Sequence, residues 1–100
     1  MNISISKEET NVIVKLFGEL DTPTSNLIQP QIDELLTIKD KNFVIECSEL
    51  DYIASSGLRQ LLSLLKATQR TKQTIVLTNV TPRVMTVFKI SNFDKLFSIV

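Results

Sequence analysis

Histidine and tryptophan are both missing from this chain of 100 residues. Without histidine, neither a Ser-His-Asp nor a Cys-His nucleophilic site can be built from its own side chains, and the commonest metal ligand is gone. A single cysteine, Cys47, excludes an internal disulfide and a cysteine-rich zinc site, and points to a reducing cytoplasm. Glycine occurs only at Gly18 and Gly57, too sparsely for a glycine-rich phosphate loop. Charge of neither sign dominates. Eleven basic residues offset eleven acidic ones, so the basic surplus of a nucleic-acid binder is lacking. No apolar run approaches the ~18 residues that cross a bilayer. The opening Met1-Asn2-Ile3-Ser4-Ile5-Ser6-Lys7-Glu8 has neither the basic start nor the long apolar core of a secretory signal. These absences predict a cytoplasmic protein with no cofactor, no direct nucleic-acid contact and no membrane insertion. Enzymatic function is not expected.

What is present is a core-forming pattern. Hydrophobic residues make up 43% of the chain, enough for one globular domain spanning residues 1–100. Ile3 and Ile5 alternate with serines and predict a short edge strand. The run Val12–Phe17 predicts a second strand, paired with the first as a hairpin and ended by Gly18. Asp21 or Thr22 then caps a helix whose Ile28, Ile32, Leu35 and Leu36 form one apolar face. Pro23 suits its first turn, whereas Pro30 predicts a kink or restart. Phe43-Val44-Ile45 reads as a strand covered on both faces, followed by a loop in which Leu50, Tyr52 and Ile53 tuck inward. Leu58, Leu61, Leu62 and Leu65 mark an amphipathic helix ending near Thr68–Arg70. Thr74–Leu77 is a further strand. Thr81-Pro82 opens a helix with Val84, Val87 and Phe88 inward, and Phe93–Val100 closes the chain as a helical turn and last strand. The expected fold is α/β: a mixed, mostly parallel sheet with an amino-terminal hairpin and helices packed on it.

The segment Asp51-Tyr52-Ile53-Ala54-Ser55-Ser56-Gly57-Leu58 puts two hydroxyls where a helix begins. The first N–H groups of a helix lack internal partners, and the dipole there favours negative charge by about 0.3–1 kcal/mol when exposed. Such a start accommodates a serine, as a cap, or a phosphoserine. On local chemistry alone the cap is the simpler alternative.

This segment, with Cys47-Ser48-Glu49-Leu50 before it, resembles the loop and helix start of STAS domains, specifically the bacterial anti-sigma factor antagonists. Phe17-Gly18-Glu19-Leu20-Asp21 is similar to that family's turn after the second strand. Thr81-Pro82-Arg83-Val84 through Phe88-Lys89-Ile90-Ser91 is similar to its last helix. The resemblance covers nearly the whole chain and implies a single STAS-like domain. It further implies that Ser55 accepts phosphate from an anti-sigma factor that is itself a serine kinase. The unmodified form would bind that partner and the phosphorylated form release it. Glu19, Asp21, Thr22, Ser55, Ser56, Gly57 and Arg59 are the partner-binding residues it implies. Two positions depart from the pattern. Ala54 stands where the family usually has an aspartate, and Arg59 where a glycine often follows the leucine. Ala54 keeps a second function open: a STAS subunit of a membrane transport or signalling complex that is not phosphorylated.

Other side chains invite weaker readings. Glu46, Glu49 and Asp51, with Glu19 and Asp21, form an acidic set that suits a magnesium ion or, more simply, a solvated rim. Cys47 is expected to be an inert core thiol. Lys66, Arg70 and Lys72 suit a solvated helix end. Leu64 and Met85 are core residues or contacts left for a partner.

Overall fold

The computed structural model describes residues 2–100. In chain order it contains β1 (Ile3–Lys7), β2 (Asn11–Leu20), α1 (Thr22–Leu36), β3 (Asn42–Ile53), α2 (Ser55–Thr71), β4 (Ile75–Thr78), α3 (Pro82–Ile90), a 3₁₀ turn (Phe93–Lys95) and β5 (Ser98–Ile99). The strands lie in chain order, β1-β2-β3-β4-β5. β1 and β2 are the antiparallel hairpin, and the other pairings are parallel. This is the mixed, mainly parallel sheet expected from strands separated by helices.

The register explains where the core lies. Val12, Phe43 and Ile75 align across three strands, as do Val14, Ile45 and Leu77. All six are buried, and they join Ile28, Ile32, Leu35, Leu61, Leu64, Val84 and Phe88 in one cluster. Ile13, Val44 and Val76 align on the opposite face and are only half-buried. The expectation that Phe43–Ile45 is covered on both faces is therefore corrected. Helices cover one face, and the β-branched row on the other is shielded largely by its own neighbours.

Three further expectations change. Gly18 does not end β2. At φ +78° it takes a conformation that glycine alone adopts freely, and the strand continues to Leu20. α1 runs unbroken through Pro30. Pro30 and Asn26 both face solvent, so the carbonyl it deprives of a partner can be hydrated. Burial of Ile28, Ile32 and Leu35 on the other side holds both halves in one helix. The supposed loop after Ile45 is also strand, since β3 runs on to Ile53. Its pairing slips against β2: Lys15 faces Glu46, Phe17 faces Glu49, and Glu19 faces Tyr52. Each slip is a bulge that adds one residue on β3. Cys47, Leu50 and Ile53, three apart, all turn inward as a result, while Tyr52 is exposed. Leu64 is core at 1% exposure, which removes it as a partner contact, and Met85 packs half-buried against the same cluster.

Candidate functional site

The carboxyl ends of β2 and β3 set two helix starts side by side. The backbone N–H of Ala54 donates to the Leu20 carbonyl at 2.9 Å, tying the residue before α2 to the residue before the α1 cap. Asp21 is that cap. Its carboxylate accepts from the Thr24 N–H at 2.9 Å, with Thr22 and Pro23 in the first turn. These hydrogen bonds from Thr24 hold the Asp21 carboxyl below its ordinary range. Glu19, Asp21 and Thr22 thus lie at the end of β2, adjoining the turn from β3 into Ser55 and Ser56.

At α2 the cap position belongs to Ala54, in extended backbone (φ −92°, ψ 172°) with no side-chain hydrogen bond. Neither serine caps the helix, contrary to the simpler alternative above. Ser55 and Ser56 are its first two residues, and their hydroxyls are placed differently. Ser55 is exposed. Ser56 donates its hydroxyl to Ser25 Oγ on α1 at 3.0 Å, and Ser25 is 2% exposed. Because Ala54 leaves the first-turn N–H groups without a side-chain acceptor, Ala54→Asp is expected to stabilise the fold by about 1 kcal/mol. Thermal denaturation should show a rise of roughly 4–8 °C.

Gly57 makes this arrangement possible. It is buried, and a Cβ there would sit 2.8 Å from Leu20 Cδ2 and 2.9 Å from Ile53 Cγ1. Absence of a side chain lets α2 begin directly against the strand ends. Arg59, two residues further on, is exposed, and among the described residues its guanidinium makes no ion pair.

A second layer went unpredicted. Gln60, 6% exposed, donates its amide to the Ser25 carbonyl at 2.8 Å and to Gln29 Oε1 at 2.9 Å. With Ser56–Ser25 it forms a polar seam joining α1 to α2. A signal existed: Gln60 falls at helical spacing between Gly57 and Leu64 on an otherwise apolar face. Its partner Ser25 lies over 30 residues away and is not legible from local pattern.

The acidic set does not converge. Glu46 accepts from the Ser48 N–H at 2.7 Å and the Asn79 amide at 2.9 Å, whereas Glu49 pairs with Lys15. Among the described residues no three carboxylate or thiol side chains come together as a metal-binding group. Hydrogen bonds from Ser48, then from Asn79 and Thr78, hold Glu46 below its ordinary value of 4.5. A carboxylate lowered by folding stabilises the fold above its unfolded value and loses that contribution as pH falls through the folded one. Asp21, whose ordinary value is 3.8, acts in the same sense. The melting temperature is therefore expected to drop on acidification from roughly pH 5 to pH 3, and to drop less in Glu46→Gln. Burial, with the nearby charge of Glu46, pushes the Cys47 thiol up to about 12, so it is inert at neutral pH. Lys66, Arg70 and Lys72 are all exposed around the end of α2. No helix among the described residues is long and apolar enough to cross a membrane.

Fold and site together define a small mixed-sheet α/β domain that presents one free serine hydroxyl where its second long helix begins. The sequence profile of the STAS domain matches residues 2–100, and the chain belongs to that family. It is 26% identical over 99 residues to BtrV of Bordetella bronchiseptica, a protein assigned as an anti-sigma factor antagonist, covering 99% of this chain and 85% of that one. It is 29% identical over 102 residues to the anti-sigma F factor antagonist of Paenibacillus polymyxa, covering 99% and 87%. Its fold is similar to that of the Bacillus cell fate determinant SpoIIAA in the phosphorylated form. That match has a TM-score of 0.74 and 20% identity, and covers 98% of this chain and 90% of that one.

Proposed function

We propose that the protein is an anti-sigma factor antagonist whose docking surface is the edge formed by Glu19, Asp21, Thr22, Ser55 and Arg59, with half-buried Ser56 and buried Gly57 shaping the helix start beneath them. Its partner is an anti-sigma factor with serine kinase activity, and phosphate on Ser55 ends the complex. The observation that carries this reading is the unequal commitment of two adjacent hydroxyls. Ser56 is engaged with buried Ser25, whereas Ser55 is exposed on the first turn of the helix. The chain supplies only the acceptor hydroxyl. Nucleotide, metal and catalytic base belong to the kinase. The names of the two relatives and the phosphorylated state of the SpoIIAA structure support the same reading.

The test incubates wild type, Ser55→Ala and Ser56→Ala with kinase-type anti-sigma factors from the same genome and ATP. Peptide mapping by mass spectrometry then locates the phosphate. Modification of wild type and Ser56→Ala, but not Ser55→Ala, is expected. Phosphate on Ser56, or none on any form despite tight binding, overturns the assignment.

A further inference from the structure

We infer that Arg59 is the counter-ion of phosphoserine 55, a pairing built into α2 itself and resting on the reading of Ser55 as the modified residue. Residues four apart on a helix face the same way, with Cβ atoms about 5–6 Å apart. Ser55 and Arg59 hold that spacing at the first and fifth positions of α2, and both are exposed. An anionic group preceding a cation by four residues is the better of the two orders, and a phosphate on the first residue of α2 also suits the positive end of the helix dipole. The guanidinium presents a planar fork that grips two phosphate oxygens at once. Among the described residues Arg59 has no carboxylate partner to give up.

The surrounding charges sharpen the assignment. The first two turns of α1, Thr22–Ile28, carry no charged residue, and those of α2 carry Arg59 alone. The ends of β2 and β3 contribute Glu19, Asp21 and Asp51, all carboxylates, and Arg83 opens the more distant α3. A dianion on Ser55 thus meets repulsion from the strand ends and attraction from one side chain on its own helix. Arg59 draws the phosphate along the surface of α2, stabilising the phosphorylated form in the absence of any partner.

The test uses the full chain with phosphoserine installed at position 55 during translation, so no kinase is involved. Wild type and Arg59→Gln are each melted with and without the phosphate. Arg59→Gln is expected to lower the melting temperature of the phosphorylated form by roughly 2–4 °C more than that of the unmodified form. The phosphorus-31 titration of the phosphoserine, ordinarily centred near about pH 6, should lie about 0.3 unit lower in wild type than in Arg59→Gln. Arg59→Lys should restore part of both differences. Equal melting changes in the two forms, with coincident titration curves, overturn the pairing. Kinase transfer to Ser55 alongside coincident curves would keep the functional reading and reject the pairing alone. A titration difference without transfer by any kinase would do the reverse.

Discussion

Replacing Gly57 by valine is expected to destabilise the domain by about 3 kcal/mol, and Gly57→Ala by about 1–2 kcal/mol. Two effects oppose each other in the alanine variant. Glycine inside a helix costs roughly 1 kcal/mol relative to alanine, so propensity alone favours the substitution. Against that, the new Cβ lies 2.8 Å from Leu20 Cδ2 and 2.9 Å from both Leu20 Cγ and Ile53 Cγ1. Leu20 and Ile53 are 2% and 1% exposed, so neither can swing into solvent. Overpacking of this kind costs typically about 1–3 kcal/mol and outweighs the propensity gain. Valine adds two methyl groups to the same contact. Urea denaturation measures both, and one further variant isolates the cause. Leu20→Ala should cost less in the Gly57→Ala background than in wild type, because it removes the colliding atoms. Equal costs in both backgrounds would mean that the helix start is not held by this contact. The same substitutions push the first turn of α2 outward, so partner binding should weaken along with stability.

The second large effect concerns charge at Ser55. Phosphorylation adds about 1.5 to 2 negative charges. In a packed interface that charge must leave water, and the proposed pairing with Arg59 offsets only one of its charges, so the remainder costs several kcal/mol. Glu19, Asp21 and Asp51, the charged residues at the adjoining strand ends, are all carboxylates and offer the phosphate no counter-charge. A penalty of about 2.8 kcal/mol already corresponds to a hundredfold loss of affinity. Calorimetric titration with the proposed kinase-type partner should therefore show at least about a hundredfold weaker binding for the phosphorylated form. Ser55→Glu, with a single charge, should lose roughly tenfold to a hundredfold. Ser55→Ala should bind like wild type, since removing an exposed hydroxyl leaves nothing buried and unpaired. If alanine and glutamate variants bind equally well, the partner does not dock over this helix start.

Ala54 bears on the proposed switch as well. An aspartate at this position would cap α2, and its charge would stand beside any phosphate on Ser55. With alanine there, the first-turn N–H groups have no side-chain acceptor. The helix start is less stable before modification and better able to accept an anion after it.

Much of the architecture was legible from local pattern. Alternation in Ile3–Ile5, the β-branched run of β2, the leucine spacing of α2 and the Thr81-Pro82 pair all encode short-range geometry, and each element formed where its pattern lies. Pro30 does not break α1, because the packing of Ile28, Ile32 and Leu35 on the opposite side of the helix outweighs its local cost, and that packing is not written in the residues around it. The segment after Ile45 is hidden from local pattern for a different reason. Apolar residues every third position match neither a strand nor a helix, and only pairing with β2 produces the two bulges that turn Cys47, Leu50 and Ile53 inward.

The residue order alone determined that two serines and a glycine open a helix, with Arg59 one turn beyond, because helix starts and four-residue spacings are properties of neighbouring residues. It did not determine which hydroxyl is free. That was decided by the packing of α1 on α2, which brings Ser25 within 3.0 Å of Ser56 across 31 residues of chain and leaves Ser55 exposed to solvent. A hydroxyl's availability depends on what the folded chain carries to its side, and such contacts leave no mark in the spacing of adjacent residues.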